Sequence, residues 1–159
     1  MNASTTTTRP LPAAAPAWRW PLAYLATLVV FLAMDAVWLG TMTAALYQPA
    51  IGHLMAATVD WRAVAIFYPL FVAGLVHFAV APALRGGRPR LAFAQGACFG
   101  FLAYATYDFT NQATLRDWPW FITVIDLAWG AVVSGVSSGV AALATAALTS
   151  RRATRTTGR

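Results

Sequence analysis

Three carboxylates interrupt long apolar runs of this chain: Asp35, Asp108 and Asp126. A charged carboxylate near the centre of a bilayer costs about 2.5–3.5 kcal/mol on insertion scales, so such a group faces a protein interior, takes a partner, or does chemistry. Its neighbours here are polar aromatics and an amide. Tyr104, Asp108 and Asn111 fall at i, i+4 and i+7, one face of a helix, with Tyr107 beside them. The pattern Asp-x-x-Trp occurs twice, as Asp35–Trp38 and Asp126–Trp129. His53 follows the first run at a distance that would let it fold over the acids. Three acids gathered at one interior site suit the relay of protons or the binding of a cation. The structural alternative is that the acids are glue, each making interhelical hydrogen bonds worth about 0.6 kcal/mol.

Other chemistry finds less support. The His and Asp residues lack a diagnostic metal-ligand spacing, so no metal is expected. No nucleotide loop or recognised nucleophile motif occurs, and no cofactor is expected. Ser134, Ser137 and Ser138 have no evident base beside them and read as helix packing. The single cysteine, Cys98, reads as a small buried hydrophobe. His77 lies nearer the other end of its run from the acids and reads as a packing residue.

Positioning these residues requires helices. Four apolar segments, about 21–46, 64–84, 91–115 and 119–148, each reach the roughly 20 residues that span about 30 Å of hydrocarbon. The fold expected is all-α: an integral membrane bundle of four transmembrane helices, up-down-up-down. Residues 1–19, rich in Thr, Ala and Pro, read as a disordered cytoplasmic tail, 20–148 as the transmembrane domain, and 149–159 as a basic cytoplasmic tail. At 1.5 Å per residue, Asp35 stands roughly 21 Å above the start of its helix, Asp108 roughly 26 Å above its own, and Asp126 roughly 10 Å below the opposite face. All three then share one level in the outer half. Gly96 and Gly100 extend the Asp108 face, and Gly130, Ser134 and Ser138 extend the Asp126 face, as small-residue stripes that allow close helix approach. No broken helix is expected inside the spans.

Composition agrees. Of 159 residues, 59% are hydrophobic and 10% charged, and the net charge is +6. A soluble domain carries about 25% charged residues. The basic residues form no continuous stripe, so nucleic acid is not a partner; the lipid bilayer is. Nine arginines fall at the termini and between the second and third segments. Arg62 and Arg116 alone occupy the other two links. By the positive-inside rule both termini are cytoplasmic, in a multi-pass inner-membrane protein. Trp18, Trp20, Trp61, Trp118 and Trp120 stand at the helix ends, as indoles at headgroup level do, and Asp60 and Asp117 are placed to cap helix starts. The link from Tyr47 to Arg62 is long enough for a short interfacial helix punctuated by Pro49 and Gly52.

The strings AYLATLVVFLAMDAVWLG (23–40), GHL (52–54), FYPLFVAGL (67–75), AYATYDFTNQATLRDWP (103–119) and VIDLAWG (124–130) resemble a bacterial membrane family catalogued as domain of unknown function 2177. Asp35, Trp38, Gly52, His53, Tyr107, Asp108, Asn111, Asp126 and Trp129 fall on its recurring positions. The resemblance implies a four-helix inner-membrane protein and brings no activity, substrate or cofactor. The residues themselves rank a small proton- or cation-coupled transporter first, as a homodimer because four helices enclose little volume. A membrane-embedded lipid-modifying enzyme or accessory factor comes second, and a structural or partner-binding subunit third. An enzyme is the less favoured class.

Overall fold

The computed structural model describes residues 16–157 and the side chains through Arg151. Residues 1–15 of the N-terminal tail and the last two residues of the basic tail lie outside that range. All regular structure among the described residues is helical. Helix α1 spans Arg19–Met42, with Pro21 in its first turn, where a missing N–H goes unnoticed. A π-helical stretch, Thr43–Tyr47, carries it into α2, Gln48–Ile51, and a 3-10 turn, Gly52–Leu54. The link after Tyr47 therefore holds no separate interfacial helix before Leu54. The first rod simply continues, and at 36 residues it would measure roughly 54 Å if straight.

The second rod repeats the pattern. Helix α3, Trp61–Leu75, passes through a π-helical stretch, Val76–Val80, into α4, Ala81–Arg85. Each π stretch ends two residues before a proline, Pro49 or Pro82. A proline ring clashes with the carbonyl four residues back and removes one ladder donor. Those carbonyls belong to Ala45 and Phe78, each within a π stretch, so widening the helix there relieves the clash. The second rod is thus locally rewound inside an apolar span, where uniform α-helix was expected. Asp60 starts this rod, its Oδ1 accepting the Arg62 N–H at 2.9 Å. Asp117 does not play the same part. It sits in the turn before the last helix with φ 58°, a left-handed conformation that Asp tolerates.

Helix α5 covers Leu91–Thr114 and α6 covers Trp120–Thr157. Helix α6 runs past Leu148 through the arginines that follow, because arginine is a good helix former where lipid no longer restricts it. Among the described residues, three helical rods are long and apolar enough to cross a membrane: 19–54, 61–85 and 120–151. Helix α5 is long enough at 24 residues, but Gln95, Asp108, Asn111 and Gln112 dilute its apolar character.

Neighbouring rods meet with residue numbers running in opposite directions. Ala23 shares a core with Val80, Ala83, Ala92 and Ala142, whereas Phe31 further along packs on Tyr68 and Phe71. Helix α5 lies along α6, with Phe93 against Gly139 and Gly100 against Gly130 and Ser134. Here the stripe of small residues does the work foreseen for it. A Cβ on Gly96 would stand 2.5 Å from Ser138 Oγ and 2.6 Å from the Ser134 carbonyl oxygen. One on Gly100 would run into the Gly130 carbonyl. Phe31, Val72, Leu75 and Val133 form the middle of the core, and Ile51, Trp118 and Ile122 close its far end. Cys98 departs from expectation: it is exposed on the outer face of α5, where the surrounding medium, not the core, meets its thiol.

Candidate functional site

At the far end from the alanine core, the bundle holds its three interior acids. Asp35 is 6% exposed and Asp126 is 7% exposed. Each is held by a tyrosine from a different element. The Tyr68 hydroxyl, on α3, donates to Asp35 Oδ2. The Tyr47 hydroxyl, on the π stretch, donates to Asp126 Oδ1 at 2.5 Å. Tyr47 closes the π-helical stretch Thr43–Tyr47, whose wider winding changes the angle at which its residues follow those of α1.

The two Asp-x-x-Trp motifs meet face to face. The indoles of Trp38 and Trp129 stack with centroids 4.2 Å apart and planes 8° from parallel. Each indole N–H then serves the other motif. Trp129 Nε1 donates to Asp35 Oδ1 at 3.3 Å. Trp38 Nε1 donates to the Tyr47 hydroxyl at 3.0 Å, and that hydroxyl donates onward to Asp126. The arrangement is a crossed pair on two helices of opposite direction, symmetric except that a tyrosine is interposed on one arm. An open cavity of about 330 Å³ lies over it, with Asp35, Trp38, Tyr47, Tyr104, Asp126 and Trp129 in its wall. That is the lower part of the 300–1,000 Å³ or so typical of small-molecule sites.

Asp108 behaves differently. It is fully buried, and neither carboxyl oxygen has a hydrogen-bond partner. Asn111 Nδ2, one turn on, is also buried and unpartnered. Neither residue lines the cavity. Such orphaned groups are rare in folded proteins. Tyr104 packs its ring directly over Gly130, where any side chain would collide with it. Tyr107 is 61% exposed, at the cavity mouth, with its ring edge-on to Trp118. His53 is exposed on the 3-10 turn and is not in the cavity wall. His77 is exposed in the second π stretch, against Phe78.

Among the expected site residues, then, Asp35, Trp38, Tyr104, Tyr107, Asp126 and Trp129 converge on one cavity, the buried Asp108 and half-buried Asn111 stay outside its wall, and His53 stands apart. Sequence reasoning missed Tyr47 and Tyr68. Their signal was a phenol near the end of an otherwise apolar run, which burial obliges to find a partner. It also missed the cluster under the turn before α6, where Trp118 Nε1 donates to Thr123 Oγ1 at 3.1 Å and Thr123 donates to Gln112 Oε1 at 3.3 Å. Trp118 is accordingly buried, unlike Trp61 and Trp120, which remain exposed at helix ends. No group of three or more His, Cys, Asp or Glu among the described residues is arranged to hold a metal.

Apolar helices of membrane-spanning length closed around a polar interior define an α-helical membrane protein. The sequence comparison makes this specific. Residues 20–143 match the family model DUF2177, described as "Predicted membrane protein", and the chain belongs to that family. No curated protein and no solved structure matches it.

Proposed function

We propose that the chain crosses a bacterial inner membrane four times, with both termini cytoplasmic, and that its outer-half cavity binds a small cation as part of a coupled carrier. Helix α5 is the fourth crossing, its polar stripe turned to the interior. The arginines support this orientation: Arg19 and Arg85 both lie over the Trp20 ring, at 4.1 and 5.2 Å, so the basic ends of the first and second rods share one face.

One observation carries the ligand reading. Two nearly buried carboxylates and a stacked indole pair open on the same cavity, and the cavity wall contains no Arg, Lys or His. Carboxylates provide charge, and aromatic faces attract a cation within about 6 Å. An anionic ligand would meet two acidic groups there and no cation. The test is uptake of small amines into liposomes carrying the purified protein under an imposed proton gradient. Uptake that disappears in Asp126→Asn supports the reading. Neither binding nor flux across a broad panel of inorganic and organic cations would sink it.

A second reading has its own observation. The Tyr68–Asp35 bond ties α3 to α1, and the Tyr47–Asp126 bond ties the end of the first rod to α6. If these bonds serve only to fasten helices, removing a donor lowers stability and alters no binding.

A further inference from the structure

A second cavity lies beside the acidic one. It measures about 390 Å³ and is lined by Phe67, Phe71, Ala103, Tyr104 and Tyr107. Tyr104 and Tyr107 belong to both walls, so the two cavities share a partition of two phenol rings. The two spaces differ in kind. One presents the carboxyl groups of Asp35 and Asp126, and the other presents no charged side chain. The second cavity opens between α3 and α5. Phe67 at its edge is 46% exposed, and neighbours such as Ile66 and Leu70 are exposed too, on a rod long and apolar enough to cross a membrane. With this rod in a bilayer, such an entrance would face hydrocarbon rather than water.

We propose that the ligand of this protein is a cationic amphiphile: an ammonium head seated between Asp35 and Asp126, and an alkyl tail passing the Tyr104–Tyr107 partition into the aromatic cavity. The inference rests on the cation reading above and adds the tail. Three features select this chemistry. An ammonium group complements two carboxylates and the stacked Trp38–Trp129 faces. A phosphate-bearing headgroup would meet those same carboxylates with no cation in the cavity wall to receive it. A tail already dissolved in the bilayer reaches the aromatic cavity sideways, without crossing a polar region.

Ligands that differ in one part at a time provide the test. The full-length protein is reconstituted in phosphatidylcholine nanodiscs. Three amphiphiles with the same brominated sixteen-carbon tail, carrying ammonium, hydroxyl or carboxylate heads, are added at equal mole fraction, and bromine quenching of tryptophan fluorescence is read. Butylamine, which has the head without the long tail, is titrated in parallel by the shift in tryptophan emission. The ammonium amphiphile is expected to reach half-quenching at about a tenfold lower mole fraction than the alcohol, with the carboxylate weaker still. Ala103→Leu, which fills the aromatic cavity, is expected to erase the advantage of the ammonium amphiphile and leave butylamine binding in place. If butylamine binds but the ammonium amphiphile quenches no better than the alcohol, the tail inference is overturned while the cation site stands. If neither amine binds to protein whose thermal unfolding is intact, both fall. An ammonium advantage that survives Ala103→Leu also overturns the assignment of the tail to this cavity.

Discussion

The two ends of this bundle solve the same packing problem by opposite means. At the end where α1 begins, α5 and α6 are in close contact through Gly96, Gly100, Ser134 and Ser138, and Ala23, Ala92 and Ala142 fill the space beside them. Backbones there approach until a methyl group would collide, with the Phe93 ring lying against Gly139. At the other end the large polar aromatics Trp38, Trp129, Tyr47 and Tyr104 line an open cavity, and the helices are joined through carboxylates. Van der Waals contact between small residues supplies association where lipid offers no hydrophobic driving force. Large polar aromatics do the reverse: they span a gap, satisfy acids across it and leave a cavity. A tight seam at one end thus lets the other remain open.

Breaking the seam should have the largest effect. Gly100→Val places branched carbon against the Gly130 carbonyl and Ser134, and overpacking of this kind costs about 1–3 kcal/mol or more. Thermal unfolding in mild detergent checks it, and a wild-type midpoint would show that the helices are not in close contact there. Next comes Tyr47→Phe, which strips the donor from Asp126 and the acceptor from the Trp38 indole together. A buried group left unsatisfied costs about 1–3 kcal/mol, so the variant should unfold earlier and its tryptophan emission should shift as the stack loosens. Tyr68→Phe should cost less, about 1 kcal/mol, because Trp129 still donates to Asp35. Equal losses in the two tyrosine variants would contradict the crossed arrangement.

Asp108→Asn sharpens the comparison from the other side. Asp108 has no hydrogen bond to lose, so this variant should match or exceed the wild type in unfolding temperature. A loss as large as that of Tyr47→Phe would reveal a partner that the chain alone does not provide. The smallest effect belongs to His53→Ala. The side chain is exposed and outside the cavity wall, so stability should stay within about 0.5 kcal/mol and amine binding should not change.

Much of the fold was legible because bilayer physics leaves few choices. Apolar runs of spanning length, with polar residues recurring on single faces, announce helices and say which faces turn inward. The Gly96–Gly100 stripe and its partner Ser134–Ser138 could be read as a contact because small residues at four-residue spacing have few other uses in such helices. Helix lengths were less legible. Pro49 looked like punctuation, yet the first rod absorbs it by widening upstream, since a π turn removes the clash at lower cost than a break. Cys98 and Trp118 were misplaced for a related reason. Hydropathy tells lipid-facing and core-facing residues apart poorly, because both environments are apolar.

The sequence by itself determined that this chain is a helical membrane protein, that three acids lie inside its helices, and that two Asp-x-x-Trp motifs stand on different helices. These follow from residue type, length and period, which are local properties. Only the tertiary structure decided that Trp38 stacks on Trp129, that each indole serves the other motif's acid, and that Tyr47 and Tyr68, not His53 or Asn111, hold the carboxylates. It alone separated Asp108 from its two counterparts. The reason is rotational. A helical period fixes which residues share a face, but the angle at which that face meets a neighbour depends on the π turns and on how closely α5 and α6 approach, and those are settled by all four rods together.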